Sequence, residues 1–187
     1  MPELPEVEIV RQSLEKKIRY KIIEKVLVKN RNLRFKIHSK FESHLQKKKI
    51  KKIDRFSKYL IILFEDTSGF IIHLGMSGTI HLCDLNKNNI FTNTSFYHSP
   101  ILPKKHNHVI IQFNELKLIY NDPRKFGYFT IFNDKIELKK KFSNFGPEPF
   151  SKSFSIEYII KYLKNKEKNI KNFLLDQKFV SGIGNIY

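Results

Sequence analysis

Gly69-Phe70-Ile71-Ile72-His73-Leu74-Gly75-Met76-Ser77-Gly78-Thr79-Ile80-His81-Leu82-Cys83 reads as a strand, a tight turn and a second strand. Isoleucine, phenylalanine, leucine and threonine fill both arms, and Gly75 and Gly78 permit a sharp reversal between them. Working outward, similar segments occur at roughly 21–29, 58–64, 107–113, 116–121 and 127–132. Many short strands separated by turns predict a β-sandwich or barrel. Residues 84–99 and Pro100–His106 read as loops.

Helices flank these strands. Pro5 suits a first helical position, Glu6 and Glu8 favour the positive end, and Lys16, Lys17 and Arg19 gather at the other. Val7, Val10, Leu14 and Ile18 form one apolar stripe. After residue 133 the pattern changes. Asp134–Phe142, Ile156–Leu163 and Lys168–Lys178 read as helical, with Asn144–Ser153, containing Gly146-Pro147-Glu148-Pro149, as a connector. The expected fold class is α+β: a β-sandwich with flanking helices over residues 1–133, then a helical unit over 134–187.

The chain has 187 residues, 35 Lys and Arg against 18 Asp and Glu, and a formal charge of +17. Such a charge suits a polyanion such as nucleic acid. The lysine excess accompanies abundant Ile, Asn, Phe and Tyr, a bias typical of AT-rich coding that raises the charge of any protein, so charge alone does not discriminate. Cys83 is the single cysteine, which excludes an intrachain disulfide and a multi-cysteine metal site. The expectations are a cytoplasmic, nucleoid-associated protein with no membrane span and no metal or other cofactor.

The start, Met1-Pro2-Glu3-Leu4-Pro5-Glu6, carries chemistry if Met1 is removed. Pro2 then becomes a secondary α-amine with a reference pKa of about 8, well below that of lysine, and can attack a sugar C1′. Glu3 lies beside it to handle protons, and Glu6 could orient the amine or its water network. The plain alternative is that the same residues only begin a helix. Met76, between two glycines, could project as an apolar wedge or fill a core. Arg124 and Phe126, in Asn121-Asp122-Pro123-Arg124-Lys125-Phe126-Gly127, could replace and wedge an extruded base or merely decorate a hairpin. Lys58, His73, Asn185 and the amides of the Gly182–Gly184 turn could bind phosphate.

Pro2-Glu3-Leu4-Pro5-Glu6-Val7-Glu8, Lys58-Tyr59-Leu60, His73 to Gly78, Lys105-His106-Asn107-His108-Val109, Asp122 to Gly127, Gly146 to Pro149 and Gly182 to Tyr187 occur in one order along the chain. That ordered set resembles the formamidopyrimidine-DNA glycosylases from end to end. The resemblance implies a bifunctional glycosylase and AP lyase that excises oxidised purines, such as 8-oxoguanine and formamidopyrimidines, from damaged double-stranded DNA. It implies a monomer whose Pro2 amine forms a Schiff base and nicks the strand. Carried over, Glu3 is the proton donor, Lys58 serves phosphate binding and the lyase step, and Glu6 supports the site. His73, His108 and Asn185 fall on the DNA side, Lys171 near the flipped base, and Met76, Arg124 and Phe126 in the vacated space. That trio resembles the oxidised-purine branch.

Two departures stand out. Lys125 occupies a position where a second arginine is usual, which keeps charge but loses bidentate geometry. Relatives also continue past Asn-Ile-Tyr through a helix-two-turn-helix module to a four-cysteine zinc finger. Residues 134–187 are therefore expected to be an incomplete helix-two-turn-helix module with weakened grip on DNA. Two other function classes are a basic DNA-binding remnant without turnover, and an N-terminal-proline tautomerase, which would need no wedge residues.

Overall fold

In the computed structural model, residues 2–85, 90–91 and 101–187 are described, with backbone alone at 90–91. Helix α1 (Leu4–Ile18) buries Val7, Val10, Leu14 and Ile18, the stripe expected from their spacing. It is followed by β1 (Lys25–Val28), a short α2 (Phe41–Leu45), and strands β2 (Ile50–Phe56), β3 (Tyr59–Phe64), β4 (Gly69–His73), β5 (Thr79–Asp84), β6 (Ile90–Phe91), β7 (Asn107–Gln112), β8 (Leu116–Asn121) and β9 (Tyr128–Phe132). Three helices close the chain: α3 (Lys135–Lys141), α4 (Ile156–Leu163) and α5 (Ile170–Leu175).

The strands form two antiparallel sheets, one ordered β1-β7-β8-β5-β6 and the other β2-β3-β4-β9. Pairings Leu60 with Ile72 and Ile62 with Phe70 put alternate residues on one face. There they meet Ile80, Leu82, Val109, Ile111, Leu118 and Tyr120 of the other sheet in one core. The opposite face of the smaller sheet is also covered. Ile61, Ile71 and Phe132 pack beneath Leu138 and Phe142, which is why β4 reads as a continuous apolar run and not as an alternation. This α+β architecture is the expected one.

Three elements differ from the sequence expectation. β2 had no strand signal because a bulge between Ile50 and Lys52 breaks the two-residue period in a lysine-rich stretch. Its open edge is shielded by α1, whose Glu15 carboxylate accepts the Ile53 N–H at 2.6 Å. The five-residue α2 lay outside every expected element, although Phe41 and Leu45 are fully buried. β6 falls inside the expected 84–99 loop and pairs with β5 through Leu82–Phe91 and Cys83–Ile90. The remainder of that loop beyond Leu85, and Pro100, lie outside the described residues.

The helical part carries a small cluster of its own, with Phe173, Phe179 and Val180 buried under Tyr158, Tyr162 and Ile183. Asp134, Ser155 and Asn169 cap α3, α4 and α5 through side-chain oxygens that accept backbone N–H bonds. α5 is shorter than the expected 168–178, running only from Ile170 to Leu175 and capped by Asp176, whose backbone amide bonds back to Phe173. Ile156 and Ile160 on α4 and Phe150 before it remain exposed. Among the described residues, no helix is long and apolar enough to cross a membrane.

Candidate active site

The first residues of the chain and the last ones meet. The buried Glu3 carboxylate accepts N–H bonds from Gly184 at 2.8 Å, Ile186 at 2.8 Å and Tyr187 at 3.2 Å. The Leu4 amide donates to Gly182 O at 3.2 Å, and Glu6 Oε2 accepts the Glu3 N–H at 2.9 Å. Pro2, half-buried, is thus attached to a rigid neighbour at the head of α1. Gly182 has φ of +101° and its missing Cβ leaves room for the Leu4 side chain. The 182–184 turn was read as a donor of amides to phosphate. Its two glycine amides are committed internally, Gly184 N to Glu3 and Gly182 N to Gln177 Oε1 at 2.9 Å.

Lys58 sits in the two-residue turn between β2 and β3, where Ser57 takes a φ of +55°. Both turn residues are buried. Burial pushes the Lys58 ammonium below its ordinary value, and the nearby Glu3 and Glu6 carboxylates oppose that shift. The turn is held from the helical side. Glu148 accepts the Ser57 N–H at 2.7 Å and pairs with Arg55, which also reaches Glu8 at 2.9 Å and Ser57 O at 2.8 Å. Gln177 accepts from Ser57 Oγ at 3.2 Å while its amide donates to Ile183 O at 3.0 Å. One side chain therefore joins the Lys58 turn to the turn that clamps Glu3.

Lys58, His73, Arg34 and Asn185 share the wall of a cavity of about 530 Å³, with Tyr59 and Tyr128 behind them. His73 stacks on Tyr128 with ring centroids 5.3 Å apart, and its Nδ1 accepts the Gly75 N–H at 3.1 Å. Burial, then the positive charges of Arg34 and Lys58, push its pKa down to about 4. At neutral pH the ring is uncharged, and with Nδ1 accepting, Nε2 carries the proton and is a donor. A neutral donor between two cations suits an anionic oxygen.

Met76, Arg124 and Phe126 project together. Met76 is 44% and Phe126 40% exposed, and the Arg124 guanidinium lies 4.7 Å from the Phe126 ring centre. Their two turns interlock at Gly75, whose φ is +69° and whose Cβ would collide with the Phe126–Gly127 backbone. Beneath them, fully buried Asp122 accepts from Ser77 Oγ at 2.5 Å, Gly127 N at 2.9 Å and Tyr120 Oη at 2.9 Å. Asp122 is the positioning group of this platform. His108 was placed on the DNA side, but it is only 5% exposed, with Nε2 bonded to Asp122 O at 2.8 Å. Through this Nε2 contact it braces the platform from behind. Lys171 is exposed on α5, one turn before Leu175, which lines the cavity.

Arg34, Glu148, Gln177 and Asp122 were not singled out from the sequence. Arg34 offered a weak signal as one of few arginines in a lysine-rich chain; Glu148 and Gln177 act on the amide and the hydroxyl of the distant Ser57, and Asp122 gathers Ser77, Tyr120 and Gly127 on one carboxylate, contacts that no sequence spacing reveals. A four-cysteine zinc site does not fit this sequence, which has Cys83 alone. Among the described residues, no group of three or more His, Cys, Asp or Glu could hold a metal.

Residues 1–129 match the formamidopyrimidine-DNA glycosylase N-terminal domain, and 145–187 match the formamidopyrimidine-DNA glycosylase H2TH domain. The chain is 40% identical over its full length to formamidopyrimidine-DNA glycosylases of Rickettsia bellii and of Wolbachia pipientis wMel, spanning 64% of each relative. Among solved structures it is similar to Lactococcus lactis Fpg in complex with DNA containing an abasic site, with TM-score 0.85 and 32% identity over 100% of this chain and 64% of that one. A mutant of the same enzyme with DNA containing Fapy-dG gives 0.85 and 33%, with the same coverage. With both domain matches in chain order and the fold shared throughout, this chain belongs to the formamidopyrimidine-DNA glycosylase family.

Proposed function

We propose that the chain acts in base excision repair on damaged double-stranded DNA, as a glycosylase with AP lyase activity that removes oxidised purines. The observation that carries this reading is the convergence of residues 2–3, 58, 73 and 184–185. Glu3 is clamped beside Pro2 by the Gly184 amide, and Gly184, Lys58, His73 and Asn185 line one cavity. Residues 1–133 form the catalytic unit in this reading, and 134–187 the helical DNA-binding unit.

With Met1 removed, the Pro2 nitrogen lone pair forms a bond to C1′ while the C1′–N bond to the purine breaks. The electron pair leaves with the base, which takes a proton from water. Glu3 accepts the N–H proton of the tertiary ammonium so formed and returns it to the ring oxygen as the nitrogen lone pair opens the sugar, leaving an iminium ion at C1′. The iminium acidifies the C2′ hydrogen, so its removal expels the 3′-phosphate and nicks the strand. Lys58, Nε2–H of His73 and Asn185 bind the flanking phosphates, and Lys171 approaches the flipped base. Met76, Arg124 and Phe126 fill the space that the base vacates.

Borohydride reduction of the iminium tests this directly. Protein first shown by intact mass to begin at Pro2 should form a covalent adduct with a duplex containing 8-oxoguanine. Damage-independent, salt-sensitive binding with no adduct would overturn the catalytic reading in favour of a DNA-binding remnant.

A further inference from the structure

Behind Tyr59 and Tyr128, which back the cavity at His73, a second cavity of about 470 Å³ opens between the loop at 35–38, β9 and the end of α3. Phe35, Tyr59, Tyr128 and Phe145 line both, so the two spaces adjoin. Phe35 is 58% exposed, edge-on to Tyr128 at 5.1 Å, and Phe142 stands edge-on to Tyr59 at 5.3 Å. The Arg34 guanidinium lies over the Phe35 ring at 5.8 Å, and the rest of this half-exposed ring remains open to a further stacking partner. The rim is cationic: Lys36 has no ion-pair partner among the described residues, and Lys141 holds Glu137 through a half-exposed 3.3 Å pair and donates to Thr130 Oγ1 at 3.3 Å. Exposed pairs of this kind yield readily to a phosphate.

Aromatic faces beside exposed lysines match a nucleotide, with base on ring and phosphate on ammonium. A base can lie against these rings only after leaving its stack in the duplex, which selects an unpaired nucleotide over a paired one. We propose that this second cavity is a stacking subsite for an unpaired nucleotide of a DNA strand, with the base against Phe35 and Phe142 and the phosphate on Lys36 and Lys141. Its place next to the phosphate cavity rests on the function proposed above. The subsite takes the nucleotide beyond those phosphates, as at a frayed or nicked end.

A short single-stranded oligodeoxynucleotide containing 2-aminopurine reports stacking by fluorescence quenching. Saturable quenching is expected, with the dissociation constant rising at least fivefold in Phe35→Ala and twofold or more in Lys36→Ala and Lys141→Ala. All three residues are exposed, so folding should be kept, as checked by thermal melting. Absence of quenching, or lysine effects without any effect of Phe35→Ala, would overturn the subsite in favour of a diffuse cationic surface. Borohydride trapping with a blunt lesion duplex separates the two ideas. An adduct without quenching sinks only the subsite, and quenching without an adduct sinks only the glycosylase reading.

Discussion

The Gly184 N–H donates to Glu3 Oε2 at 2.8 Å across 181 residues of chain, and Gly184 lies so close that a Cβ would overlap the Glu3 carboxyl group. A methyl group there must displace Glu3 and strain the two further amide bonds from Ile186 and Tyr187. Gly184→Ala should cost about 2 kcal/mol of stability, because amide bonds to a charged acceptor contribute roughly 1.5–3 kcal/mol each. It should also lower the yield of borohydride-trapped adduct by tenfold or more. Wild-type adduct yield in this variant would show that the Glu3 clamp does not serve the reaction.

The Lys58 turn depends on Glu148 and Gln177 in the same way. Glu148→Ala strips a part-buried Arg55 of one carboxylate and leaves the Ser57 N–H without its acceptor, which should cost about 2 kcal/mol in urea denaturation. Gln177→Ala should cost less and act mainly on strand nicking, through a loosened Lys58. Single-turnover nicking of a pre-formed abasic site reads this; an unchanged rate would mean that Lys58 holds its position without Gln177.

His73 makes the fold sensitive to acid. Its folded pKa of about 4 is below the ordinary 6.5, so between these values the unfolded chain binds a proton that the folded one refuses. Stability from this site is fully present above pH 6.5 and falls as pH drops towards 4, by about 3 kcal/mol at most. His73→Gln should remove this component. Denaturation of both proteins at pH 7 and pH 4.5 checks it, and parallel pH dependences would refute the assignment.

The wedge platform separates exposed from buried contributions. Met76→Ala and Phe126→Ala remove exposed side chains and should change stability by about 0.5 kcal/mol or less. Affinity for a lesion duplex should nonetheless fall tenfold or more, as titration would show. Asp122→Ala should instead destabilise by about 3 kcal/mol, since Tyr120, Ser77 and Gly127 lose a buried acceptor. Similar melting temperatures for all three variants would contradict this division.

Local periodicity and turn chemistry made much of the molecule legible from sequence alone. The α1 stripe at Val7, Val10, Leu14 and Ile18, the strands on either side of Gly75-Met76-Ser77-Gly78, and the helix that follows Asp134 each depend on residues a few positions apart. The ordered motifs also pointed to the family before any distance was known. Only the tertiary structure decided how those pieces meet. The pairing with β3 that makes Ile50–Phe56 a strand despite its bulge is visible only in three dimensions, and His108 turns inward because its partner is the Asp122 carbonyl. Glu148 and Gly184 matter through bonds that join a carboxylate to a distant backbone amide, and a backbone N–H is the same whatever side chain it carries; Gln177 matters by reaching the Ser57 hydroxyl 120 residues away. Such pairings leave no trace in composition or spacing, so the proline amine could be found in the sequence, while the clamp on its neighbour Glu3 appears only when both ends of the chain are brought together.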